Sequence, residues 1–289
     1  MASIVVVLFS PAENRRSKSF TDKIPMFNDL IPCSESVSPN FKENKPNKNS
    51  KIMKQKILIL SLFILTVSMH SCMLSPSVKG DGNVTEEERK TDDFDGIKAG
   101  RGMNVYITQG DDFRVMVKAD ENLHEFIETQ VDNGVLLVSS KANIRKSKSK
   151  AVYVTLPDLE TVKASAGSNV FTESGIRANE LDVKASAGSN INLEVKAAKI
   201  IVSASAGSNI WLKGATDKLH ATASAGSNIK AGDLKTDKAE IKVSSGSNIW
   251  TLVDQSFSGK ASSGGNIFYA GNPSQTEISK SSGGNVIKN

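Results

Sequence analysis

The sequence has few of the residues from which metal sites and disulfide frameworks are built. Its 289 residues include two cysteines, Cys33 and Cys72, and three histidines that lie far apart. Two cysteines cannot supply a multi-disulfide scaffold or a cysteine-rich zinc site. Three separated histidines disfavour a metalloenzyme. We therefore expect neither a bound metal nor a cofactor.

The sequence also lacks a basic excess in the part that we expect to fold. The whole chain has a formal charge of +5, from 36 Lys and Arg against 31 Asp and Glu. Residues 1–71 hold ten of these bases and five of the acids, so residues 72–289 hold 26 of each. Because nucleic-acid binding needs a clustered basic surface, this balance disfavours a nucleic-acid partner.

The amino-terminal region is typical of an exported bacterial lipoprotein. Residues 1–52 are rich in Ser, Asn, Lys and Pro, and we interpret them as a disordered or misassigned upstream extension. Residues 53–71 have the layout of a signal peptide, in which Lys54 and Lys56 precede an eleven-residue apolar run. That run is too short for a stable membrane span. Cleavage after it would leave Cys72 for lipid attachment. The alternatives are a plain signal peptide with an incidental cysteine, or a buried helix.

Residues 72–91 are predicted to be a flexible tether. They contain Pro, Gly, Asn and an acidic run, a composition that favours an extended linker over a packed element. A lipid on Cys72 would join the chain to a membrane, most simply the outer membrane of the cell envelope, and Cys33 would be removed with the signal. The sequence leaves open whether the protein faces the periplasm or the cell surface.

A short motif typified by Ala-Ser-Ala-Gly-Ser-Asn-Ile recurs seven times in residues 164–289. Successive asparagines are separated by 18 to 21 residues. A leucine-rich repeat has a similar period, but its leucines are absent, as are the aspartates of calcium-binding nonapeptide repeats. The Gly and Asn positions of the seven copies are Gly167 and Asn169, Gly188 and Asn190, Gly207 and Asn209, Gly226 and Asn228, Gly246 and Asn248, Gly264 and Asn266, and Gly283 and Asn285.

Apolar residues alternate with polar ones on both sides of each asparagine. The positions five, seven and nine residues before it are mostly Ala, Val, Ile or Leu, and Ile or Val follows it in every copy. This period of two indicates strands with one buried face, whereas a helix would need apolar spacings of three and four. We predict an all-β, single-stranded parallel β-helix with coils of about 19 residues, each made of two or three strands bent at the glycine.

Within the motif, we expect the small residue three positions before each asparagine to point inward. The serine four positions before it, Ser165 in the first copy, and the asparagine itself should form two polar ladders that run from coil to coil. The motif is therefore predicted to stabilise the turn rather than to bind a ligand.

Residues 92–163 are strand-like but less regular, and Gly102–Val105 looks like a worn copy of the motif. We interpret this region as an irregular β cap on the amino-terminal end of the solenoid, because the ends of solenoids must be covered. Residues 164–289 would then be the seven regular repeats of a domain that spans 92–289.

Four segments carry a resemblance to a known family. They are Phe94–Ile97, Gly102–Gln109, Asn122-Leu123 and Gly134–Val138, and the repeated Gly-Ser-Asn-Ile follows them. Over roughly residues 93–286 the chain resembles the bacterial auto-transporter adhesin, head GIN domain family. The resemblance implies a β-helical envelope protein, often a lipoprotein of Bacteroidetes-type bacteria. It implies no catalytic residues, and the word adhesin rests on analogy of fold.

Four aromatic residues share one position, two residues after the asparagine. They are Phe171, Trp211, Trp250 and Phe268, and they should point outward if the preceding Ile or Val points inward. An outward aromatic row could stack on sugars or pack against a partner. Alternatively, the rings pack against each other and against lysine stems, or connecting segments cover them.

We expect a lipid-anchored, adhesin-like binding or scaffolding module without catalysis, whose partner is an envelope protein or a glycan. The alternative is a polysaccharide-active lyase or hydrolase, which needs carboxylates that meet on one face. Asp182 and Glu240 share one repeat position, but Ile201 and His220 lie between them. We expect His220 to face solvent alone.

Overall fold

The computed structural model describes residues 77–289, which fold into a parallel β-solenoid with a mixed β-sheet at its amino-terminal end. The predictions for residues 1–52 and 53–71 and for Cys72 lie outside the described residues. The described part belongs to one compact unit of the chain and contains one hydrophobic core. Within it, no helix has the length and apolar character needed to cross a membrane.

Nine strands and one short 3-10 turn, Glu121–Leu123, precede the regular coils. The strands are β1 Ser77–Lys79, β2 Val84–Arg89, β3 Gly96–Ala99, β4 Asn104–Gln109, β5 Arg114–Asp120, β6 Ile127–Asp132, β7 Val135–Ser140, β8 Asn143–Lys146 and β9 Lys150–Leu156. Antiparallel pairs join β2 to β5, β5 to β9 and β6 to β7, whereas β3 with β7 and β4 with β9 are parallel. This mixed sheet confirms the predicted irregular cap.

Strands β1 and β2 lie in the segment predicted to be a flexible tether, so that prediction is wrong from residue 77 to residue 89. β1 pairs in parallel with β8, and β2 pairs with β5. The acidic run of β2 is matched by bases on β5: Glu86 contacts Lys118 at 2.8 Å and Glu88 contacts Arg114 at 3.2 Å. Cross-strand pairs of opposite charge favour this pairing.

Ten strands form the regular coils, and every pairing among them is parallel. They are β10 Thr161–Ala164, β11 Asn169–Thr172, β12 Ile176–Ala185, β13 Asn190–Ala204, β14 Asn209–Ala223, β15 Asn228–Val243, β16 Asn248–Ala261, β17 Asn266–Ala270, β18 Gln275–Lys280 and β19 Asn285–Lys288. Asparagine lies beside asparagine in each successive coil, which confirms the predicted solenoid and its period.

The central coils differ from the prediction in one respect. Each contains one strand of 14 to 16 residues, as in β13 to β16, instead of two or three short ones. The alternation of buried and exposed side chains runs through most of each strand. The strand pairing is continuous apart from register shifts near Trp211 and between Ala231 and Lys238, and the motif supplies the turn between successive long strands.

In the core, equivalent positions of successive coils lie beside one another and form rows. Ile210 lies between Ile191 and Ile229 in the strand register, and all three side chains are fully buried. The worn copy of the motif also forms a coil, because β3 and β4 pair with β10 and β11 and place Asn104 beside Asn169.

Candidate binding face

Each regular coil turns over four residues of the motif. In the first copy, Ala166 and Gly167 have φ angles of 49° and 72°, and the Ser168 N–H donates to the Ser165 carbonyl at 3.2 Å. Positive φ at both central positions is typical of a type I′ turn. Ala166 is exposed. The prediction that the residue three before the asparagine points inward is therefore wrong, because the left-handed backbone turns its side chain to solvent.

The serine that fastens the turn is not the one predicted. Ser168, directly before the asparagine, is fully buried, and its Oγ accepts the Ser165 N–H at 3.1 Å and donates to the Ala99 carbonyl at 3.0 Å. Ala99 belongs to the preceding coil, so this hydroxyl joins two coils. Ser189 and Ser208 bond to the preceding coil in the same way, at 2.9 Å each. Ser165 contributes its backbone groups to the turn, so the predicted serine ladder was assigned to the wrong serine.

The asparagine side chains form a continuous ladder along the solenoid. Each Nδ2 donates to the Oδ1 of the asparagine in the preceding coil, at 2.9 to 3.1 Å. The ladder runs from Asn285 to Asn169 and ends on Asn104 of the worn copy. Both the amide nitrogen and the amide oxygen of each inner asparagine are thus engaged, as a structural role requires.

The four aromatic side chains lie in one outward row and are half-buried. The strand register places Trp211 beside Lys230, Lys230 beside Trp250, and Trp250 beside Phe268. On the other side, Phe171 lies beside Tyr106, and Tyr106 beside Tyr153. We call this set, from Tyr153 to Phe268, the aromatic row.

Sequence reasoning missed the two tyrosines. Tyr106 follows Asn104 by two residues, the same offset as the other aromatic residues, so the worn copy of the motif carried the signal. Tyr153 lies on β9, which has no copy of the motif, and only the pairing of β9 with β4 brings it into the row.

Most rings in the aromatic row stack on one another. The ring centroids of Tyr106 lie 5.0 Å from Tyr153 and 5.3 Å from Phe171, and those of Trp250 and Phe268 lie 5.2 Å apart. The interplanar angles are 11° to 21°. Neighbouring rings therefore cover each other's faces and direct their edges outward.

Two residues without rings interrupt the row: Asn192 lies between Phe171 and Trp211, and Lys230 separates the two tryptophans. The Lys230 Nζ lies 5.5 Å from the centroid of the Trp211 ring, a cation–π contact. A cleft of about 610 Å³ opens here, and its lining residues are Asn192, Trp211, Leu212, Lys213, Lys230, Gly232, Asp233 and Trp250. The chain between Asn228 and Asn248 has one residue more than the commonest spacing, and its register shifts after Ala231, next to the cleft. We call this the tryptophan cleft.

The tryptophan cleft offers two kinds of contact. An indole lies at each end, two strands apart, or about 10 Å on the usual strand separation. Lys213 forms an ion pair with Glu194 at 2.8 Å, whereas Lys230 reaches over Trp211. A ligand could stack on an indole and pair with a charged side chain at the same time.

Asp182 and Glu240, the two acids that share a repeat position, do not meet. Asp182, Ile201, His220 and Glu240 form one row, in which Asp182 and Glu240 are three strands apart, about 14 Å on the usual strand separation. Carboxylates of glycoside hydrolases lie about 5–9.5 Å apart. The hydrogen bond and positive charge of Lys242, followed by those of His220, lower the pKa of Glu240 and keep it ionised.

His220 does not stand alone as predicted, because its Nδ1 lies 3.1 Å from a carboxylate oxygen of Glu240. Sequence reasoning missed two clefts with acidic residues in their lining. Asp158, Glu160, Glu180 and Asp182 line the first, where Glu180 pairs with Lys199 at 2.9 Å and Lys184 donates to one Asp182 oxygen, while the other Asp182 oxygen is buried without a hydrogen-bond partner among the described residues. Asp217, Asp237 and Asp254 line the second together with Arg177, Lys196 and Lys235. In residues 77–289 no three His, Cys, Asp or Glu side chains are grouped so that they could hold a metal ion.

The model of the family described as "Putative auto-transporter adhesin, head GIN domain" matches residues 93–273. No curated protein matches the chain significantly.

Several solved structures share the fold. A "putative adhesin" from Bacteroides fragilis NCTC 9343 is 21% identical, with a TM-score of 0.68 over 73% of this chain and 100% of that one. A "putative adhesin" from Parabacteroides distasonis ATCC 8503 is 22% identical, with a TM-score of 0.61 over 74% and 100%. A "putative lipid binding protein" from the same organism is 19% identical, with a TM-score of 0.58 over 74% and 99%. At these identities the likeness shows the fold alone.

Proposed function

Because this chain belongs to the auto-transporter adhesin, head GIN domain family, we propose that it is a lipid-anchored envelope protein that binds its partner through the tryptophan cleft. The protein is an adhesin-like binding module and has no catalytic role. The cleft carries the proposal, because there the row offers indole faces beside charged side chains instead of ring edges.

The partner has rings or flat apolar groups along an extended chain, as a glycan or an extended segment of an envelope protein does. The flexible stem of Lys230 can move aside at little cost, so that a ring takes its place between Trp211 and Trp250. On one side of the cleft Phe268 stacks on Trp250 and continues the contact, and on the other side the stacked group of Tyr153, Tyr106 and Phe171 begins beyond Asn192. Aromatic side chains of this kind bind sugars and partner proteins at low entropic cost.

The first experiment replaces both tryptophans of the cleft. The double variant Trp211→Ala and Trp250→Ala should lose binding on a glycan array, or to a purified envelope partner, by at least about tenfold, the loss expected when stacking of about 1–3 kcal/mol is removed. The matched control is Tyr106→Ala with Phe171→Ala, which removes two rings of the same row but leaves the cleft intact. Thermal melts of both variants report on the fold.

Lost binding in the cleft variant, with a melt close to that of the control, supports the proposal. If the melting temperature of the cleft variant falls well below that of the control, the tryptophans are structural. If both double variants bind as the wild type does, the aromatic row is not the binding face.

The lipid anchor has its own test. Cys72→Ala should move the protein from the membrane fraction to the soluble fraction, because one lipidated site with several acyl chains is sufficient for stable anchoring. A variant that still sediments with membranes in high salt and carbonate would refute the lipoprotein proposal. Protease treatment of intact cells then distinguishes the cell surface from the periplasmic face, since a protected protein cannot act as an outward-facing adhesin.

A further inference from the structure

Five bases lie in the ten residues 141–150, which comprise the segment between β7 and β9 and the first residue of β9. They are Lys141, Arg145, Lys146, Lys148 and Lys150, and no acid occurs between the first and the last of them. β1 adds Lys79, which lies beside Lys146 in the register of the β1–β8 pair. We call these six side chains the basic patch. Because residues 72–289 carry equal numbers of acids and bases, the patch is a local concentration of charge in a neutral chain.

The charges of the basic patch are largely uncompensated. Five of its six residues are exposed and Lys150 is half-buried. Within residues 77–289, Lys141 is its only member with an ion pair, to Glu128 at 3.5 Å. Two acids lie nearby. The Asp81 side chain accepts the Asn83 N–H at 3.0 Å, and Asp120 is buried among backbone donors, where the charge of Lys148 helps to lower its pKa, so Lys148 is the one member that Asp120 partly compensates.

The basic patch also lies where the chain enters the fold. β8 lies in the chain between β7 and β9, and it forms a separate two-stranded sheet with β1, the first described strand. Cys72 precedes Ser77 by five residues, which span at most about 18 Å when fully extended. A lipid on Cys72 would therefore hold the patch within reach of the headgroups.

We propose that the basic patch binds the anionic headgroups of the bilayer that carries the lipid anchor, and that it orients the solenoid on that surface. The proposal uses the anchor described above only to place the patch. Each Lys or Arg near an anionic surface strengthens binding by about fivefold, and the attraction fades within about 8–10 Å at physiological salt. Bases clustered at the tether can reach that layer, whereas bases scattered along the solenoid cannot all do so.

The test omits the lipid, so that it reports on the patch alone. Residues 73–289 contain the complete core, from Phe94 to Val286, and a cooperative thermal melt checks that this fragment is folded. The fragment is sedimented with vesicles of phosphatidylcholine, with and without phosphatidylglycerol, at low and physiological salt. We expect binding to the vesicles that contain phosphatidylglycerol and weaker binding at higher salt.

The patch variant changes Arg145, Lys146, Lys148 and Lys150 to Gln, and it should reduce binding by at least about tenfold. The matched control changes four exposed lysines of the coils to Gln: Lys196, Lys218, Lys235 and Lys238. The control has the same net charge and should bind as the wild type does.

A parallel assay replaces the vesicles by a soluble acidic polymer. Three outcomes overturn the proposal: equal binding to both kinds of vesicle, an equal loss of vesicle binding in the two variants, or binding to the polymer without binding to vesicles. The lipid anchor would be unaffected by any of them, because the Cys72→Ala fractionation tests it separately. Conversely, selective loss in the patch variant supports the patch even if Cys72 carries no lipid.

Discussion

At the scale of single residues, Asp120 illustrates how this fold retains a buried charge. Its side chain is fully buried and accepts the backbone N–H groups of Ser149 at 2.8 Å, Lys148 at 3.0 Å and Gly82 at 2.9 Å. Burial by itself would raise the pKa of Asp120, but these backbone hydrogen bonds, with a smaller contribution from the positive charge of Lys148, outweigh it and the pKa is lowered. The ionised carboxylate fastens the loop between β1 and β2 to the segment that carries the basic patch.

Asp120 should therefore contribute to stability in a pH-dependent way. Because its pKa is lower in the folded chain, the contribution is complete well above the ordinary Asp value of about 3.9 and is lost as the pH falls through the lowered value. Asp120→Asn should reduce the free energy of unfolding at neutral pH by about 1–3 kcal/mol, because it weakens hydrogen bonds to a buried charge.

Urea unfolding of the wild type and Asp120→Asn at a series of pH values measures this effect. The difference between them should shrink as the medium becomes more acidic than about pH 4. Asp112→Asn, which changes an exposed carboxylate, is the matched control. A difference that stays constant down to strongly acidic pH would show that the charge of Asp120 is not what stabilises the loops.

At the scale of the structural element, the motif turn requires an unusual backbone conformation. All seven copies place a non-glycine residue at φ between 46° and 51°, directly before a glycine that also has positive φ. A left-handed conformation costs an L-residue about 1–2 kcal/mol. The buried serine or glycine that follows, and the asparagine ladder, hold the turn in place against this cost.

Replacing the strained alanine of one turn by glycine should therefore leave the stability unchanged or raise it. We expect Ala206→Gly to change the free energy of unfolding by between zero and about +1 kcal/mol, since relieved strain is partly offset by the entropy of glycine in the unfolded chain. Ala204→Gly, in a buried strand position two residues earlier, should be destabilising by about 1 kcal/mol.

Chemical denaturation of the two glycine variants and of Ala206→Val makes the comparison. The β-branched valine cannot adopt positive φ without strain, so Ala206→Val should be clearly less stable than the wild type. If Ala206→Gly loses as much stability as Ala204→Gly, the turn is not strained in the way that its φ angles indicate.

The elements show which features sequence patterns can predict. Alternation identified the buried rows and the coil period, because both depend on extended backbone. It failed at Ala166, since side-chain alternation is not maintained through two consecutive left-handed residues. It also failed for β2, because an acidic run by itself resembles a linker. The residue that lies opposite Glu86 is Lys118, which is some 30 residues away in the sequence.

The candidate site was predictable to a similar degree. The offset from the asparagine placed Phe171, Trp211, Trp250 and Phe268 in one row. The stacking of the rings and the opening of the cleft depend on the side chains between them and on the register shift near Gly232, which the motif does not encode. Tyr153 joined the row only through strand pairing.

At the scale of the whole molecule, the two ends of the solenoid are finished differently. The antiparallel strands of the mixed sheet cover the first coils. In the outermost coil at the other end, Ile278 and Ile287 are 41% and 43% exposed, and Lys280 occupies a row that holds Ala or Val in the coils before it. An inward-row charge at an exposed edge discourages pairing with further strands.

Between these ends, each coil contacts only its neighbours, so damage to a central coil should spread along the rod. Ile210→Asp would bury an unpaired carboxylate between Ile191 and Ile229, at a cost of several kcal/mol. We expect a large fall in melting temperature and rapid hydrogen exchange in the coils on both sides.

Lys213→Asp is the control on the same strand, because it removes an exposed ion pair with Glu194 that is worth about 0–1 kcal/mol. Equal melts for Ile210→Asp and the wild type would contradict the register on which the core rows and the aromatic row both depend.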